Sequence, residues 1–262
     1  MVITDNSHNH NHQSTTRAPW NTSPKSVAEP SPLLDDDVKH LNLLLDTPHQ
    51  QHDASNSSCS LEELIAQLPT ALSEQKAQGI PPGSDGDEVF QLMSRVQVDY
   101  PDVSRYAHAD PSRHYTRNLI STDGTSYTLL LLCWNPHRSS PIHDHPCDGC
   151  WMKVLQGQVF ESRYRDVTNE NAGINPNNNN HTATTPGLEC THHEVYSQGQ
   201  VAFINDSMGY HKVGNQDTTH LSMTLHLYAP PFQQCRTWLD PNNSQKSSRS
   251  KMCFYSAYGK VL

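Results

Sequence analysis

Over the first 58 residues the apolar positions are sparse and follow no period, in a background rich in Ser, Asn, His, Asp and Pro. Such a stretch buries too little surface to offset its ordering entropy, so a disordered polar arm is expected over 1–58. Within it, Val38, Leu41 and Leu45 recur at helical spacing behind acidic residues, predicting a short docking helix over 35–46. Ser60-Leu-Glu-Glu63 then forms a capping box, and Leu61, Leu64, Ile65 and Leu68 mark one face of a helix expected to end or kink near Pro69. After Pro81-Pro82-Gly83, Asp85 and Glu88 frame a second helix with Val89, Leu92, Met93 and Val96 on one side. From about Tyr115 the texture changes to short β-favouring runs separated by Asp-Gly, Gln-Gly and Asn-rich turns. The runs are Tyr115 to Ile120, Tyr127 to Trp134, Trp151 to Val154, Gln158 to Tyr164, Val201 to Ile204 and Leu221 to Tyr228. Strands repeated without intervening helices predict an all-β sandwich or barrel. Together with its two or three N-terminal helices it would occupy 59–262. Thr168 to Gly187, with Asn177 to Asn180 at its centre, reads as a polar insertion. Beyond Ser244 a basic, Ser-rich link leads to a last expected strand, Cys253 to Tyr258.

Composition narrows the classes. Only 34% of the 262 residues are hydrophobic, and the mean hydropathy is -0.72, in keeping with an unpacked arm. The net charge of -9, from 18 basic and 27 acidic residues, argues against nucleic acid as a partner. No block of Lys or Arg suggests a membrane surface, and the run Tyr127 to Trp134 is far too short to span one. The first twenty residues lack the apolar core of a signal peptide. Seven irregularly spaced cysteines suit a reducing compartment better than a disulfide framework, so a cytoplasmic protein is expected.

The chemistry concentrates between Ser140 and Tyr164. His143 and His145 stand two apart at the head of an apolar run, and residues i and i+2 of a strand share a face. Two imidazoles so placed reach one metal ion, and Cys150 lies five residues on. Three histidines with open positions suit either a hydrolytic zinc or an oxygen-activating iron. For the third ligand His211, in Gly209-Tyr-His-Lys-Val-Gly-Asn215, is the leading candidate, and His226 in Thr224-Leu-His-Leu-Tyr228 competes. His8, His10 and His12 alternate in the arm and read as part of its polar composition.

His143-x-His145 with Cys150 and Gly157, followed by Gly209-x-His211-x-x-x-Asn215, resembles the two cupin motifs. The first motif ordinarily carries a metal-binding Glu where this chain has Gly149-Cys150. A three-histidine cupin with Cys at that place resembles cysteine dioxygenase, of the thiol dioxygenase family. Tyr115-Thr-Arg117-Asn-Leu119, Cys133-Trp134 and His226-Leu-Tyr228-x-Pro-Pro231-Phe extend the resemblance from about Ser60 to Gly259.

That resemblance implies a cupin barrel, one mononuclear ferrous ion on His143, His145 and His211, and oxidation of L-cysteine by O₂ to cysteine sulfinate by a monomer. It also implies that Arg117 holds the substrate carboxylate, with Tyr115 and Tyr228 lining the pocket. Cys150 and Tyr228 match the family's thioether pair, although Cys147 stands close by. Thr224, His226 and Tyr228 match its hydroxyl–imidazole–phenol relay, with Thr where the family has Ser. Cys133, Trp134 and Cys235 are read as packing near the pocket. The rivals are a relative acting on 3-mercaptopropionate or another small thiol, a zinc cupin of different chemistry, and a non-catalytic binding cupin.

Overall fold

The computed structural model describes residues 58–167 and 187–262. The polar arm up to residue 57, the helix expected over 35–46, and residues 168–186 of the insertion lie outside the described residues.

Helix α1 (Leu61–Gln78) begins as its sequence dictates. The Glu63 N–H donates to Ser60 Oγ at 3.1 Å, and the Ser60 N–H donates to the Glu63 carboxylate at 2.8 Å. The helix does not end at Pro69 but runs on to Gly79, whose left-handed φ of 68° closes it against the Gln75 and Lys76 carbonyls. Pro69 is exposed, so the Ile65 carbonyl it deprives of a donor lies away from the core. Leu61, Leu64, Leu68 and Ala71 remain buried in one row on the other side. Helix α2 (Glu88–Arg95) is capped by the buried Asp87, and a short α3 (Tyr100–Ser104) follows. Among the described residues no helix is long and apolar enough to cross a membrane.

Among the described residues thirteen strands form two sheets, the all-β cupin arrangement expected from the sequence. The first has the spatial order β13 (Lys260–Val261), β12 (Ser256–Ala257), β1 (Tyr115–Thr122), β2 (Thr128–Trp134), β9 (Ser222–Ala229), β4 (Gly149–Gln156), β7 (Val201–Ile204). The second runs β11 (Ser248–Lys251), β10 (Gln234–Trp238), β3 (Ile142–His143), β8 (Tyr210–Gly214), β5 (Gln158–Asp166), β6 (Leu188–Ser197). The strand expected over Cys253 to Tyr258 is shorter. Tyr258 and Gly259 both take positive φ, so the chain turns there and β13 pairs back on β12.

The central strands of the first sheet are buried on both faces, which is why β2 reads as an unbroken apolar run. Leu129, Leu131 and Cys133 of β2, Trp151 and Leu155 of β4, and Met223, Leu225 and Leu227 of β9 pack with the helices. Their alternates Leu130, Leu132, Trp134, Cys150, Met152, Val154 and Tyr228 pack in the barrel interior. Asp87 ties the two layers together: its carboxylate accepts from the Gly83 and Phe90 N–H groups and from Trp151 Nε1 at 2.8 Å. Lys153, facing the helices, donates to the Ser94 carbonyl at 2.8 Å, and burial pulls its amine down to about 8.

Candidate metal centre and substrate pocket

Three strands of the second sheet build the centre. β3 is sandwiched between β10 and β8, and its pairing with β8 places His143 directly opposite His211. His145 does not share that strand with His143, because β3 ends at His143. Two carboxylates hold the segment beyond it. Asp144 accepts from the backbone N–H and Nε of Arg236, each at 2.6 Å, and Asp206 accepts the His145 N–H at 2.6 Å. The pair therefore converges because the chain is pinned from both sides, in place of simple strand alternation.

The three imidazoles face one another with ring centroids 4.4–4.9 Å apart, and one nitrogen from each lies within 4.8 Å of the others. Their remaining hydrogen bonds fit a metal. His143 Nδ1 donates to the Pro141 carbonyl at 3.0 Å, which leaves Nε2 as a lone pair. His211 Nδ1 lies 2.7 Å from Glu161 Oε1. His145 is 0% exposed and neither of its ring nitrogens has a hydrogen-bond partner. A buried polar group left so costs about 1–3 kcal/mol, and a cation between the rings is the obvious remedy. Burial, aided by the neighbouring Arg117, lowers the His143 pKa to about 4; burial likewise holds His145 and His211 well below the ordinary imidazole range. All three are thus neutral, the form that ligates. No carboxylate belongs to the cluster.

His226, the competing third ligand, stands apart from that cluster. On β9 it shares a face with Thr224 and Tyr228. Its Nε2 lies 2.9 Å from Thr224 Oγ1, and Tyr228 Oη lies 3.5 Å from its Nδ1. The indole N–H of Trp134, which can only donate, reaches Thr224 Oγ1 at 2.8 Å. Thr224 is therefore an anchored hydroxyl as well as a strand residue, and Trp134 does more than pack. Burial draws the His226 pKa down to about 3 and pushes the Tyr228 and Cys150 groups well above their ordinary values. Cys150 on β4 and Tyr228 on β9 are direct cross-strand neighbours, a relation that puts Cβ atoms about 4.5–5.5 Å apart. Cys147 also packs against this cluster, with its thiol aimed at the Gly149 carbonyl.

Tyr115 and Arg117 alternate inward on β1. Arg117 Nη2 donates to Tyr115 Oη at 2.7 Å, and the Tyr115 ring stacks on Trp134 at 4.6 Å. Arg117 Nε is buried without a partner. The guanidinium is close enough to act electrostatically on His143, His226, Tyr228 and Cys235, so it looks into the same space as the three histidines. One fork edge is thus held by a phenol while another donor waits for an acceptor. A groove of about 570 Å³, lined by Leu72, Ile80, Trp151 and Pro230, lies on the helix side of the sheet, away from this chemistry.

Sequence reasoning missed Glu161, which sits at the wall of the centre. A signal existed, because Val159, Glu161 and Arg163 share one face of β5 and a charged pair in an inward row is unusual. Asp144 and Asp206 were missed because their partners are backbone and side-chain groups distant in sequence.

The buried histidines also set an acid limit for the metal-free protein. Unfolded imidazoles take up protons below about 6.5, whereas folded His143 and His226 resist down to about 4 and 3. The unfolded chain binds more protons in that window, so stability is fully present above 6.5 and is lost as pH falls towards 4. The unfolding free energy from urea titrations is expected to fall over this range by on the order of 1 kcal/mol per pH unit for each group. A flat profile between pH 6.5 and 4 would show that these rings are not held neutral.

Comparison with known proteins agrees with this architecture. The family model for cysteine dioxygenase type I matches residues 50–240. The chain is 35% identical over 174 residues to cysteine dioxygenase type 1 of Danio rerio, covering 66% of this chain and 79% of that one. It is 32% identical over 173 residues to the human protein of the same name, covering 66% and 78%. On its fold, its three-histidine centre and these matches, the chain belongs to the cysteine dioxygenase type I family.

Proposed function

We propose that residues 59–262 form a non-haem ferrous thiol dioxygenase that oxidises L-cysteine with O₂ to cysteine sulfinate, opening cysteine catabolism towards taurine and sulfate. The observation that carries this reading is the buried group of His143, His145 and His211, with His145 unpartnered and no carboxylate among them. Three neutral imidazoles leave a divalent ion its full charge, which favours an anionic thiolate; a carboxylate ligand would weaken that attraction. Bound there, a ferrous ion would supply the electrons that activate dioxygen, and both oxygen atoms end on the substrate sulfur.

The protein's own residues orient the reactants. Arg117 takes the substrate carboxylate through its free donors, since a planar fork suits a carboxylate. Tyr115 and Trp134 keep that fork from swinging. Trp134, Thr224 and His226 hold the Tyr228 hydroxyl at the pocket by successive hydrogen bonds. Holding both reactants in register is worth on the order of 7–11 kcal/mol in favourable cases. The side-by-side placement of Cys150 and Tyr228 supports a thioether between sulfur and ring, formed with loss of two hydrogens to dioxygen. Seven free cysteines support a reducing, cytoplasmic setting.

Anaerobic loading with Fe(II), followed by L-cysteine and O₂, is expected to yield the sulfinate by mass. The turned-over enzyme should also give a Cys150–Tyr228 peptide pair lighter by two hydrogens than its parts. Absence of sulfinate would sink the reading, and a fully alkylatable Cys150 after many turnovers would remove the cross-link. Faster oxidation of 3-mercaptopropionate, or activity with zinc alone, would move the assignment to another cupin chemistry.

A further inference from the structure

Glu161 is a buried anion that the reaction outlined above does not use. Its side chain is 1% exposed, in the middle of β5, where β8 lies on one side and β6 on the other. Placing a carboxylate there is costly unless every lone pair meets a donor. Oε2 accepts from Arg163 Nε at 2.9 Å, and Tyr196 Oη stands 3.5 Å away. Arg163 is itself fixed, donating from Nη2 to the Phe203 carbonyl at 3.2 Å. The single Tyr196 O–H goes to the nearer carboxylate, Glu194 at 3.1 Å. The remaining oxygen, Oε1, is aimed at His211 Nδ1 at 2.7 Å, the shortest contact Glu161 makes.

An ion pair serving only to fill the barrel wall would be complete with Arg163 alone. Here the second oxygen is directed at a ring whose other nitrogen faces His143 and His145. An acceptor at Nδ1 keeps the proton there and leaves the Nε2 lone pair pointing into the cluster. His143 obtains the same result from the Pro141 carbonyl, a neutral acceptor. His211 is held by a charged one, which also makes its imidazole a stronger donor to a cation.

We propose that Glu161 is a positioning residue of the metal centre, accepting the Nδ1–H of His211 while Arg163 holds its carboxylate in place. This rests on the three-histidine reading and deepens it. Fe(II) and Co(II) affinities of the full chain, measured anaerobically by competition with a chromophoric chelator, test it. Glu161→Gln keeps the shape but exchanges a full charge for an amide dipole, and is expected to weaken both metals by about 10- to 100-fold. Glu194→Gln, which alters an exposed support of Tyr196, is expected to leave affinity nearly unchanged. Equal metal affinity of wild type and Glu161→Gln would overturn the proposal while leaving the three-histidine site standing. Failure of the wild type to bind either metal would instead overturn the site. A readout independent of any variant is the ¹⁵N spectrum of histidine-labelled, metal-free wild type. His211 should appear protonated at Nδ1 and bare at Nε2, and the reverse tautomer would overturn the proposal even if the variant failed to fold.

Discussion

Replacing His145 with leucine is expected to abolish metal binding and turnover while making the metal-free protein more stable. The two effects have one cause. Both ring nitrogens of His145 are buried and unpartnered, so the metal-free fold bears a desolvation cost that a leucine of similar size would relieve. A gain of about 1–3 kcal/mol is expected in urea unfolding of the metal-free form. The same change removes one of three ligands. Disturbing only an outer-shell partner typically costs 10- to 100-fold in metal affinity, so deleting a ligand should exceed ~100-fold. Stabilisation by added metal, which grows with the logarithm of concentration over Kd, should vanish with it. A variant that binds Fe(II) as tightly as wild type would remove His145 from the centre. One that is destabilised without metal would show that its nitrogens are satisfied in solution.

Arg117→Ala is expected to lower kcat/KM for L-cysteine by about 10²–10³-fold, from losing a buried charge-assisted contact of roughly 3–4 kcal/mol. Arg117→Lys should recover only part of this, because an ammonium is a point donor and cannot replace a fork. The informative comparison is with cysteamine, which has the thiol and amine of cysteine but no carboxylate. Wild type and Arg117→Ala should handle cysteamine alike, since the deleted contact has no counterpart on that substrate. An equal loss on both compounds would mean that Arg117 shapes the pocket, through Tyr115 and the Trp134 stack, without touching the carboxylate.

The elements legible in the sequence are those whose burial is simple. The two-sided strands Thr128–Trp134 and Val201–Ile204 appear as apolar runs, and α1 announces its start through Ser60 and Glu63. Hidden strands are hidden for physical reasons. β6 exposes seven consecutive residues, Glu189–Val195, so no alternation marks it. β3 has two residues and exists because β8 and β10 flank it. The metal histidines were readable by spacing, but how they converge was not. His145 is brought in by Asp206 and the Asp144–Arg236 pair, contacts that join residues 61 and 92 positions apart. The ending allowed for at Pro69 does not occur for a related reason: a proline's effect depends on which face of the helix it occupies.

Asp87 gives the molecule a mechanical property as well as a contact. Its one carboxylate caps α2, fixes the turn at Gly83 and holds the indole of Trp151, whose strand neighbour Cys150 faces the pocket. The helical layer is therefore a load-sharing wall of the barrel, and the strand bearing Cys150 cannot shift without straining the turn that starts α2. Opening the helices and losing the pocket should belong to one cooperative transition. The pocket then depends on both layers at once, and its geometry is inherited from the way they are joined.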